Sequence, residues 1–130
     1  MTIEAIQKAA HTMTASARKQ GYSLDPRHGG AIHHYTAPDG SITFARLRLK
    51  HPDTGEKWIR PLRRDISGVW CELKAPEFEG GAPLYNLHQL YNPARQSERV
   101  ILVEGECKVD MLALRGIIAT TSGGAQSVCG

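Results

Sequence analysis

Residues 100–124 read Val100-Ile101-Leu102-Val103-Glu104-Gly105-Glu106-Cys107-Lys108-Val109-Asp110-Met111-Leu112-Ala113-Leu114-Arg115-Gly116-Ile117-Ile118-Ala119-Thr120-Thr121-Ser122-Gly123-Gly124. Val100 to Val103 is a short apolar run, mostly β-branched, of the kind that forms a buried strand in a parallel sheet. It stops at Glu104-Gly105. The next stretch places Val109, Leu112 and Ala113 on one helical face, and Gly116 ends it. Ile117 to Thr121 is a second strand, running into Ser122-Gly123-Gly124. The unit is strand, acid, helix, strand, glycine loop. Its carboxylate stands at the carboxyl end of the first strand, where open α/β sheets place ligands and chemistry.

This combination resembles the first half of the Toprim domain, a fold shared by primases, topoisomerases, small nucleases and recombination proteins. The lead-in Pro83-Leu84-Tyr85-Asn86-Leu87 is similar to the segment before Toprim in primases and primase–helicases of phage and mobile-element type. The likeness covers about residues 82–127 and is weak upstream. It implies a βαβ unit with parallel strands and magnesium-dependent nucleotidyl transfer in the intact protein. It also implies that Glu104 is the general acid/base. A carboxylate at a strand end beside a helix start suits proton exchange or a share in a hard cation. Gly105 permits the tight turn. Gly105, Ser122, Gly123 and Gly124 form the candidate phosphate loop, through backbone N–H groups.

Two departures stand out. Many Toprim proteins carry an aspartate four residues after the glutamate, where this chain has Lys108; Asp110, six residues on, is the nearest and is the second candidate metal ligand beside Glu104. No Asp-x-Asp, the family's magnesium pair, occurs in the 130 residues. On this reading the chain is an N-terminal fragment holding half a Toprim domain, and the fragment alone is expected to be inactive. Each site residue also has a plainer reading. Glu106 suits a helix start, where the dipole favours acids. Asp110 suits a solvated helix face, and Gly123-Gly124 a simple turn.

Upstream, Ile3, Ile6, Ala10, Met13 and Ala17 at helical spacing predict a helix over 3–19, with Thr2 as N-cap and Gly21 as stop. From Ile32 to Leu73 short strands alternate with turn clusters at Pro38-Asp39-Gly40, Pro52-Asp53-Thr54-Gly55 and Asp65-Ile66-Ser67-Gly68. Strands are expected at about 32–36, 41–49, 57–63 and 69–73, as an antiparallel meander. The fold expected is therefore an α+β part over 1–80 (helix plus basic β meander), then the start of an α/β Toprim unit over 81–130. Ala75 to Pro83 reads as a linker.

The meander is basic. Between Ala45 and Asp65 lie seven cations (Arg46, Arg48, Lys50, Lys57, Arg60, Arg63, Arg64) against Asp53, Glu56 and Asp65, more than the whole chain's surplus of +3. Arg46 and Arg48 share a face of their strand if it is regular, and Trp58, Arg60 and Arg64 share a face of theirs; the alternation breaks at Ala45-Arg46 and leaves open which face is which. Arg46, Arg48, Lys57, Trp58, Arg60, Arg63 and Arg64 are thus the candidate nucleic-acid residues, since cations interleaved with an aromatic track phosphates and stack bases. The alternative is a solvated sheet face with Trp58 in the core.

Composition narrows the partners. With 41% hydrophobic and 22% charged residues the chain is ordinary globular sequence, and no apolar run approaches the ~20 residues of a membrane span. Cys71, Cys107 and Cys129 are too scattered for a disulfide framework or a zinc motif, so a reducing cytoplasm and inert thiols are expected. His28, His33, His34 and His51 match no zinc spacing, and no P-loop or dinucleotide fingerprint occurs. Expected partners are single-stranded DNA or nucleotides, with a helicase domain or other replication protein, and no membrane. Two rival functions stay open: a Toprim nuclease, and a non-catalytic single-strand or replication-partner binding module.

Overall fold

The computed structural model describes residues 2–74 and 83–122. Thr2–Met13 forms helix α1 and Ala15–Lys19 the short α2. Four strands follow, β1 (Ala31–Thr36), β2 (Ile42–Lys50), β3 (Lys57–Arg64) and β4 (Trp70–Cys71), in one sheet of order β1-β2-β3-β4. Then come α3 (Leu87–Leu90), β5 (Val100–Leu102), α4 (Glu106–Ala113) and β6 (Ile118–Thr120). The protein is therefore α+β, with an antiparallel sheet and a separate pair of parallel strands, β5 and β6. It divides into two compact units: Met1–His34 with Phe44–Ala75, and Tyr35–Thr43 with Pro76–Gly130. The expected linker lies mostly outside the described residues.

The N-terminal helix is shorter than its spacing predicts. It breaks at Thr14, whose buried hydroxyl donates to the Ala10 carbonyl at 2.7 Å, the back-bonding that bends helices. Thr2 is the first helical residue rather than the cap before it. Gly21 sits at φ +99° and ends α2 as expected.

Turn chemistry sets the sheet. The Asp39 side chain accepts from the Ser41 amide at 2.9 Å between β1 and β2, and that of Asp65 accepts from the Ser67 amide at 2.9 Å between β3 and β4. Ile6, Ala10, Leu47, Leu49 and Leu62 are fully buried and form the apolar centre of this unit. Register across β2 and β3 pairs Ala45 with Leu62, Leu47 with Arg60 and Leu49 with Trp58, so these six side chains share one sheet face.

Gly30 is required for a reason that no turn motif signals. A Cβ there would run into the backbone carbonyl of Leu24, which has no flexible end to give way. Gly30→Ala is expected to destabilise the unit by about 1–3 kcal/mol, read as a lower urea midpoint.

Asp25 caps the turn Pro26–His28. It accepts from the Arg27 amide at 2.8 Å and from the Arg27 guanidinium at 2.7 Å. The Arg27 side chain, with the Arg27 amide, holds this carboxyl at about 2. A depressed pKa stabilises the fold above the unfolded value, and that contribution is lost as pH falls through the folded value. Asp25→Asn should therefore flatten the acid limb of the stability curve between pH about 4 and 2. An unchanged limb would show that the pair contributes nothing.

The parallel pair departs from expectation in burial. Val100, Ile101 and Leu102 are 48, 42 and 74% exposed, although their composition reads as a buried strand. Among the described residues each is paired on one edge, to Ile118, Ala119 and Thr120. The three β6 residues are buried, because that strand is flanked on both sides. Its second flank is the lead-in segment: the Tyr85 amide donates to the Thr121 carbonyl at 3.1 Å, Thr120 Oγ1 donates to the Tyr85 carbonyl at 2.7 Å, and Asn86 Nδ2 donates to the Ala119 carbonyl at 3.1 Å. In α4, Val109 is buried, Leu112 half-buried and Ala113 exposed.

Candidate functional site

The two parallel strands end side by side. Val103 donates its amide to the Thr120 carbonyl at 3.0 Å, and the Gly105 amide donates to Thr121 Oγ1 at 3.2 Å. Gly105, at φ +92°, turns the chain directly into α4. The hinge leaves Glu104 exposed while Gly105 and Glu106 are buried. Ser122, also exposed, follows the buried Thr121 at the matching end of β6. Glu104, Gly105 and Ser122 thus stand at the carboxyl ends of adjacent parallel strands, the position that sheet topology favours for ligands. Gly123 and Gly124 lie outside the described residues.

Glu106 and Asp110 occupy successive turns of α4, and each is held by a tyrosine. Tyr35 donates its phenol to Glu106 Oε2 at 2.8 Å, in a buried contact. Tyr85 donates to Asp110 Oδ1 at 2.9 Å. The two rings meet edge to face, 5.0 Å between centroids. Burial, followed by the Asp110 charge, pushes the Tyr85 phenol far above its usual range, so it is a fixed hydrogen donor at ordinary pH. Nearby, Thr36 Oγ1 and His88 Nδ1 stand 2.9 Å apart. Sequence reasoning missed this tyrosine–carboxylate cluster. Tyr35 and Glu106 are 71 residues apart, and neither residue type signals the other.

Magnesium asks for several oxygen ligands in close to octahedral order. Among the described residues no group of three or more His, Cys, Asp or Glu stands together to hold a metal ion. Glu106 and Asp110 are engaged by phenols, which leaves Glu104 as the open carboxylate of this hinge. Cys71 is a free thiol, whereas Cys107 is disulfide-bonded, contrary to the inert thiol expected there.

Pairing sorts the basic meander residues onto two faces. Arg46, Arg48, Lys57 and Arg63 lie on one, since Arg48 pairs with Ile59 and Arg46 with Pro61. Arg48 is only 3% exposed, which removes it from any surface contact. Trp58, Arg60 and Arg64 lie on the other face, joined by Trp70, the cross-strand partner of Arg64. The Arg60 guanidinium sits over the Trp58 ring at 5.0 Å from its centroid, and that of Arg64 over Trp70 at 5.4 Å. Trp70 is half-buried in this array.

No protein-family model, curated protein or solved structure matches the chain. Among the described residues no helix is long and apolar enough to cross a membrane.

Proposed function

We propose that the chain works in nucleic-acid synthesis as a Toprim-like module of the phage or mobile-element primase type, with Glu104 as the general acid/base of nucleotidyl transfer. The observation that carries this reading is the exposed Glu104 at the end of β5, beside the end of the parallel β6 and at the start of α4. A carboxylate so placed can take a proton from an attacking hydroxyl and return one to a leaving group. Ser122 and the start of α4 are suited to hold a phosphate beside it, although the Gly105 amide is already bonded to Thr121 Oγ1. Magnesium, with DNA or nucleotides as substrates, belongs to this proposal through the resemblance, and Glu104 and Asp110 are the described residues offered toward the metal. The test is Glu104→Gln in the protein that carries this chain, assayed for both nucleotide transfer and DNA binding.

A second reading, a single-strand binding module, rests on the two arginine–tryptophan stacks of β3 and β4. The two are compatible, since a polymerising enzyme must also hold its template. A nuclease is the nearest catalytic rival, because hydrolysis and transfer use the same acid/base group.

A further inference from the structure

Between α1 and β4 runs an open groove of about 540 Å³, lined by Ala5, Lys8, Ala9 and Met13 from the helix and by Trp70 and Glu72, among others, from the strand side. That volume lies within the range of small-molecule and cofactor sites. Its walls are largely apolar, with a cation and a carboxylate at the rim. Both strand-side residues carry an arginine from β3. Arg64 lies over the Trp70 ring, and Arg60 Nε stands 3.4 Å from Glu72 Oε1.

We infer that this groove takes one unpaired nucleobase of a single strand, with the strand's phosphates on Arg60, Arg64 and Lys8. Charge complementarity identifies the occupant. An apolar slot walled by an indole and bordered by three cations matches a flat apolar ring carried on an anionic backbone. The Arg60–Glu72 pair is about half-exposed on both sides, so it contributes little stability and yields readily to a phosphate. A base within a duplex is stacked and paired, and cannot enter a slot between a helix and a strand. The inference rests on the single-strand reading of the sheet and goes beyond it by naming the slot, the stacking residue and the unpaired state of the base.

The experiment uses the full chain with Trp58→Phe, so that Trp70 is the remaining indole. A fluorescein-labelled oligothymidylate and the corresponding duplex are titrated at several salt concentrations, reading label anisotropy and indole emission together. The expected result is quenching of Trp70 by the single strand and not by the duplex. Ala9→Phe, added to fill the groove while leaving every arginine in place, should raise the single-strand Kd about tenfold with an unchanged salt slope. Anisotropy that reports binding without quenching, or with equal quenching by duplex, overturns the groove and leaves the sheet reading intact. No anisotropy change even at low salt, in the chain that keeps Trp58 as well as in the variant, overturns both. The quenching readout stands even where Ala9→Phe fails to fold.

Discussion

Glu104→Gln is expected to lower nucleotide transfer by a factor of about 10²–10⁴, the usual contribution of general acid–base catalysis, in the protein that carries this chain. The substitution keeps size and polarity but removes the ability to take a proton. Glu104 is exposed and stands outside both tyrosine–carboxylate pairs, so the fold should be unaffected. DNA affinity should also hold, because the cations proposed to attract phosphate lie on β2 and β3. A variant that keeps full transfer activity would remove Glu104 from catalysis, and the Toprim-type assignment with it. Equal loss of transfer and binding would instead point to a role in holding substrate.

The second large effect is structural. Leu47→Ala should destabilise the first unit by about 2–5 kcal/mol, against a total stability of about 5–15 kcal/mol for a domain. Leu47 is fully buried and lies between Ala45 and Leu49 on the sheet face that includes Leu62. Removing its branched end takes away transfer energy and leaves a cavity that a tightly paired sheet cannot close. Leu47→Met, which keeps the volume, should cost less than about 1.5 kcal/mol. Urea denaturation of both variants separates the effects: similar midpoints would mean that the site is looser than its burial indicates.

Local order was legible in the sequence because turn residues and apolar periodicity act at short range. Asp39 and Asp65 mark hairpin turns by side-chain bonds two residues long, and β2 and β3 lie within a residue of their expected bounds. Gly105 and Gly116 bracket α4 at positive φ, as the strand–helix–strand pattern requires. What depends on neighbours was not legible. The run Val100–Leu102 reads as buried by residue type, yet burial depends on flanks that a strand's own residues do not encode, and among the described residues this one has a partner on a single edge. The face assignment of Arg46 and Arg48 against Arg60 and Arg64 needed the pairing register. The tyrosines that engage Glu106 and Asp110 come from distant segments. Glu104 could be singled out because its position relative to a strand end is a local property, while any ligand set around it is not.

The unequal flanking of β5 and β6 also fixes an order of local opening. Among the described residues β6 is held by both β5 and the Tyr85–Asn86 segment, whereas β5 is held by one ladder. Hydrogen exchange in this unit would thus proceed from β5 inward, with β6 as its slow-exchanging centre. Because β5 also presents an apolar surface and, among the described residues, a partner on a single edge, its release would expose apolar strand to association, and charged substitutions on that strand would act there first.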